Sequence, residues 1–294
     1  DPMSSKRGAR FLLLVACQFP PDATVATRRA ARIATAMRDR GWTVEVLASH
    51  PRFAAQLDPA LLDGLAGITV HHAEILSPRA WAKLARETMK PATPAAHAAA
   101  TQHVASATTT AAKTAKTRGL VADVGAAARA ALRAVSNESY RHLAVPDAYV
   151  GWFAPATLIG SLLQRPDVVL ATLPPPTAAL VGAALADRFS APLVLDYRDP
   201  WTARLDHAAL PRWRAEAERS MEAAVLRRAA GVAATTHGIA EDLQRRGAHN
   251  VVWIPNACEP ERFSDVTPRI FATPTLVYTG GIYGGRSLLP TLRS

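Results

Sequence analysis

The sequence predicts an α/β fold, a parallel sheet with helices on both faces. Three observations carry that prediction. Apolar runs of strand length recur along the chain, segments with apolar residues at helical spacing separate them, and proline- or glycine-bearing turns follow the strands. The 294 residues and the 49% hydrophobic content are enough for one large core or two ordinary ones.

Residues 11–17 (FLLLVAC) are continuously apolar and form the first expected strand. The stretch from Lys6 to Cys17 also has the outline of a lipoprotein signal, with a basic start and a terminal cysteine. The run is short for a signal core, and processing at Cys17 would remove the first strand, so the buried strand is the reading adopted. Ala26, Ala30, Ile33, Ala34 and Met37 then recur at helical spacing, and Gly41 is a natural helix stop. Residues 42–48 (WTVEVLA) read as a second strand and 68–74 (ITVHHAE) as a third. The rhythm breaks near Ser77. An Ala- and Thr-rich stretch at about 78–145 reads as a helical or disordered insertion.

Order resumes by Trp152. Residues 167–176 (DVVLATLPPP) are a fourth strand entering a proline turn, and a helix is expected at 177–189. Residues 192–201 (PLVLDYRDPW) are a fifth strand with its exit loop, and Trp213, Ala217, Met221 and Val225 mark one face of a long helix. Residues 231–236 (GVAATT) and 251–256 (VVWIPN) are two more strands with a helix between them. The whole is a Rossmann-like pattern. A polar, proline-bearing linker (264–275) leads to LVYTGGIYGGRS at 276–287, expected to open another strand and a glycine-rich turn. The expected division is an amino-terminal domain over 1–267, followed at 268–294 by a linker and the truncated start of a second domain.

The net charge is +10, and residues 81–135 alone hold eight basic side chains against Glu87 and Asp123. Such a window suits an anionic membrane surface or, equally, a solvated insertion in an arginine-biased chain. A nucleic-acid role is disfavoured, because only Trp81 supplies an aromatic there. No apolar run approaches the ~18 residues of a membrane span. Two cysteines, Cys17 and Cys258, cannot form a disulfide framework and fit a reducing, cytoplasmic compartment.

The loop after the first strand has no glycine, so the G-x-G-x-x-G of a dinucleotide site and the G-x-x-x-x-G-K-S/T of a P-loop are both absent. His71 and His72 are adjacent on a strand and point to opposite faces, a poor start for a metal site. The informative residues sit where strands end, since open α/β sheets bind ligands at the carboxyl ends of their strands. Asp22 and Arg28 follow the first strand, Asp196, Arg198, Asp199 and Trp201 the fifth, and Asn256 the last. A carboxylate can accept from hydroxyls, a guanidinium can donate to oxygens and an indole offers a stacking face. An arginine–aspartate pair that merely fixes its loop is the competing reading.

Taken in order, FPPD…R, LPPPT, LVLDYRDPW, IPNACEPERF and LVYTGGIYGGRS resemble glycosyltransferase family 4. The likeness is to the branch whose fifth-strand loop reads Asp-(Phe/Tyr)-Arg-Asp-Pro-Trp, and it covers about residues 10–75 and 145–294. The resemblance implies a GT-B architecture, in which one Rossmann-like domain takes the acceptor and a second binds the nucleotide-sugar donor. It implies a retaining transferase of bacterial polysaccharide biosynthesis that needs no metal and no cofactor beyond its donor substrate. Its partners would be a nucleotide-diphosphate sugar and a lipid-linked or glycan acceptor, with peripheral contact to the inner face of the plasma membrane. By position, Arg198 and Asp199 stand for catalysis, and Asp22, Arg28 and Trp201 for acceptor binding. Asn256, Gly280, Gly281 and Arg286 stand for donor binding, Arg286 as the cation for the diphosphate. Gly281 replaces an arginine often found there, and the family's paired glutamates would lie downstream. The rivals are a non-catalytic Rossmann-like binding lipoprotein and a nucleotide-sugar epimerase of the same fold.

Overall fold

The computed structural model describes residues 10–76, 144–258, 264–268, 270–279 and 287–293. Strand β1 (Phe11–Val15) is buried at every residue, as its continuous apolar run requires. It pairs in parallel with β2 (Thr43–Ser49) on one side and β4 (Val168–Leu173) on the other. Beyond β2 lies β3 (Thr69–Ala73), and beyond β4 lie β5 (Leu193–Tyr197), β6 (Ala229–Ala234) and β7 (Val251–Trp253). The seven strands follow the order β3-β2-β1-β4-β5-β6-β7, all pairs parallel. This is a Rossmann-like sheet, as the sequence predicts.

The period-two alternation of β1 sorts its side chains between two cores. Leu12 and Leu14 join Val44 and Val46 of β2 against Ala30 and Ala34 of α1 (Ala26–Arg38). Leu13 and Val15 join Val169, Ala171, Leu193 and Leu195 on the other face, under α3 (Thr177–Phe189). Helix α2 (Phe153–Ser161) packs beside α3, and there Trp152 is fully buried. Helix α3 approaches β4 closely enough that a Cβ on Gly182 would lie 2.6 Å from the Cβ of Ala171. Its amino end is capped by Asp147, which accepts from the Thr177 backbone N–H at 2.7 Å.

Helices α4 (Arg212–Arg228) and α5 (His237–Arg245) complete the layers. Helix α4 departs from the expected face. Its buried side chains are Arg214, Ala215, Glu218, Glu222, Val225 and Leu226, while Trp213 is 53% exposed. Charged residues enter this face because each finds an ionic partner there, so the buried face is shifted from the expected one, which keeps Val225 and Met221 against the core but leaves Trp213 outside.

The chain divides into two units, Asp1–Asn256 and Ala257–Ser294, earlier than the expected boundary at 267. The division falls just past the last sheet bond, from the Ile254 N–H to the Ala234 carbonyl at 2.8 Å. In the second unit, residues 276–279 form no strand, contrary to expectation, and Leu276 and Val277 are exposed. The apolar composition of this stretch suggests a strand, but among the described residues it joins no sheet. Helix α6 (Leu289–Arg293) lies in the same unit. The insertion expected at about 78–145 lies almost wholly outside the described residues. Among the described residues no helix is long and apolar enough to cross a membrane.

Candidate functional site

The sheet turns in opposite directions from β1 and β4, so its topological switch point lies between these strands. Loops leaving their carboxyl ends border the crevice where such sheets bind ligands. The exit loops of β1, β4, β5 and β7 meet on this edge, and Arg29 of α1 ties three of the elements together. Its guanidinium grips Asp196 at the end of β5, Nη2 to Oδ1 at 2.7 Å and Nε to both carboxylate oxygens at 3.0 Å. Its Nη1 donates to the Pro255 carbonyl at 3.1 Å and to Asn256 Oδ1 at 3.4 Å. Asp196 is 1% exposed and also accepts from the Thr172 hydroxyl of β4 at 2.8 Å.

Arg28, by contrast, is exposed and makes none of these contacts. Arg29 lies three residues after Ala26 and four before Ile33, on the apolar face of the helix. A charge on a buried face demands a partner, and that is the signal that could have singled it out.

Arg198 spends its guanidinium on backbone. Nε donates to the Leu173 carbonyl at 2.9 Å, Nη1 to the carbonyl of Ala26 and Nη2 to that of Pro174. Burial pulls its pKa below the ordinary arginine value, and the carboxylates of Asp196 and Asp199 oppose that pull. Arg198 therefore splices the exit loops of β4 and β5 to the start of α1. Asp199, the next residue, is exposed on the same edge. Trp201 is 2% exposed and packed in the main core, so it offers no stacking face; the structure corrects that expectation, because the loop folds its indole inward.

Asp22 is largely buried in a turn, where one of its oxygens accepts from the Thr24 N–H at 2.9 Å. Beside it, Gln18 Nε2 lies 3.4 Å from the Tyr149 hydroxyl. Burial, with the neighbouring Cys17, Asp22 and Asp147, pushes the Tyr149 pKa up to about 12. Burial also raises the Cys17 thiol well above its ordinary value, so it stays protonated at neutral pH. Asn256 is exposed at the end of the first unit. Gly280, Gly281 and Arg286 lie outside the described residues.

The loop carrying Asp199 is braced from α4. Glu218 accepts from Arg204 Nη1 at 2.8 Å and from Arg214 Nε at 2.9 Å. Glu222 accepts from the Thr202 hydroxyl and from Arg246 Nη1, the latter at 3.1 Å. Both carboxylates are buried. Sequence spacing missed this support because glutamates in an arginine-rich helix read as solvent-facing. His71 pairs with Glu45 at 2.7 Å and His72 lies against the Ser49 carbonyl at 3.2 Å, on opposite faces of β3.

A doubly wound parallel sheet whose polar exit loops gather at the carboxyl edge defines a Rossmann-like domain. The family model of the glycosyl transferase 4-like domain matches residues 26–257, and the chain belongs to that family. Among solved structures it is similar to Anabaena Alr3699/HepE in complex with UDP and glucose, at 14% identity and a TM-score of 0.45. That alignment covers 87% of this chain and 46% of the other, so the chain spans about half the length of that relative. No curated protein sequence matches the chain.

Proposed function

We propose that the chain is the acceptor-side domain of a retaining glycosyltransferase. It would move a sugar from a nucleotide-diphosphate donor to a hydroxyl of a lipid-linked or polysaccharide acceptor. The observation that supports this most is the family match over 26–257, which runs from the start of α1 through the exit loops of β4 and β5 to the end of β7.

In this reading Asp199 is the exposed carboxylate available to an acceptor hydroxyl. Arg198 holds the loops in register, since each of its three guanidinium nitrogens donates to a backbone carbonyl. Arg286, with the amides around Gly280 and Gly281, would neutralise the departing diphosphate. No metal enters this scheme. A lipid-linked acceptor would place the enzyme on the cytoplasmic face of a membrane. The +6 of residues 81–135 suits an anionic leaflet there, and salt should weaken such docking.

The test separates the two neighbouring residues. In the full-length enzyme, Asp199→Asn should lower turnover by tenfold or more without moving the melting temperature. Arg198→Ala should lower the melting temperature, because three carbonyls lose their donor. Unchanged turnover in Asp199→Asn would remove it from the chemistry.

A further inference from the structure

We propose that Arg29 is a positioning residue that sets the orientation of Asn256 and of the backbone where the chain leaves the first unit. The inference rests on the transferase reading for its consequence in turnover, but its structural part stands on geometry alone.

Arg29 is 11% exposed in its side chain and its carboxylate partner Asp196 is 1% exposed, so the pair is fixed in a largely dry setting. Nε and Nη2 are committed to Asp196, itself held by Thr172. With the fork held at that end, Nη1 can point in only one direction, and it points at the Pro255 carbonyl and Asn256 Oδ1. Arginine has no acceptor, so the amide of Asn256 must turn its oxygen toward the guanidinium. Its Nδ2 then faces away, and among the described residues no group accepts a hydrogen bond from Nδ2. An exposed amide donor is left at the carboxyl edge of the sheet, aimed by a buried ion pair. The ligand chemistry this suits is an oxygen acceptor such as a phosphate or sugar hydroxyl. Asn256 is also the last residue of the first unit, so the same contact fixes where the chain departs.

Lysine cannot reproduce this arrangement. One ammonium can neutralise Asp196, but it has no planar fork to reach Pro255 and Asn256 at the same time. Arg29→Lys therefore keeps the buried charge compensated while releasing the exit of β7, and Asn256→Ala removes the amide without touching the ion pair.

Two measurements on the full-length protein test the inference. In Arg29→Lys, hydrogen exchange of the Ile254 amide should speed up at least tenfold, with Val169 and Leu195 unchanged. In sugar transfer, Arg29→Lys and Asn256→Ala should each raise the donor KM several-fold with little change in kcat. The double variant should be no worse than the weaker single one, since Arg29 acts through Asn256. Unaltered exchange at Ile254, or KM effects that multiply, would overturn the proposal. Faster exchange in a protein that transfers no sugar would retain the structural pin and remove the transferase reading.

Discussion

Glu218 and Glu222 stand one turn apart on α4, and both are buried, yet their surroundings push their protonation in opposite directions. Burial tends to raise Glu218, but hydrogen bonds from Arg204 and Arg214 outweigh it and hold the pKa below the ordinary value. For Glu222 burial prevails over its bonds to Thr202 and Arg246, and the pKa is raised. The stability signs follow. Glu218 contributes stability that is complete above its unfolded pKa of ~4.3 and is lost as pH falls through the lower folded value. Glu222 contributes fully below the unfolded value and loses that contribution as pH rises through its folded value. Glu218→Gln should thus cost about 3 kcal/mol near pH 7, since Arg204 and Arg214 lose a buried counter-charge, and the deficit should shrink below pH 4. Glu222→Gln should cost less than Glu218→Gln at pH 7, because burial already disfavours its charged form and Arg246 retains Asp242 at 2.8 Å. Urea denaturation from pH 3 to 7 checks both. Equal losses at pH 7 would show that the two carboxylates are not opposed.

The elements are held at distances that leave no spare volume. Gly182 is the clearest case, since α3 rests on β4 where a Cβ would sit 2.6 Å from the Ala171 Cβ. Alanine has better helix propensity than glycine by about 1 kcal/mol, but here the added carbon must displace a strand residue. Gly182→Val should destabilise by at least about 2 kcal/mol, and Ala171→Gly in the same chain should recover part of the loss. Additive losses in the double variant would place the clash elsewhere. Elements were legible in the sequence where burial is apolar on both faces. Strands β1, β4 and β5 announce themselves as apolar runs because parallel strands have no solvent side, and β2 by its alternation. Helix α4 was legible as a helix but not in its orientation, because ion-paired charges occupy its buried face. The site was legible in the same uneven way. Its loops and Asp199 follow from strand ends, whereas Arg29 and Glu222 work through partners more than ten residues away, as Glu218 does with Arg204. Spacing along one helix cannot name a partner on another element.

At the scale of the whole molecule the two units differ in how their backbones are satisfied. In the first, the Val169 N–H donates to the Pro192 carbonyl at 3.0 Å beneath a fully buried side chain. Its exchange with solvent requires opening the central sheet, an event close to global unfolding. In the second, residues 276–279 form no strand, and Leu276 and Val277 are 75% and 60% exposed. Side chains that bury so little contribute little of the ~25 cal/mol per Å² that offsets the entropy of ordering. Amides of Leu276 and Val277 should therefore exchange within an order of magnitude of the unprotected rate, while Val169 and Leu170 exchange many orders slower. Denaturant should leave the first pair unchanged and accelerate the second, because only the second reports on the cooperative core. Residue-resolved hydrogen exchange across low urea concentrations makes the comparison. Protection of Leu276 and Val277 that matches β4 and falls with urea in parallel would mean that the second unit shares the stability of the first.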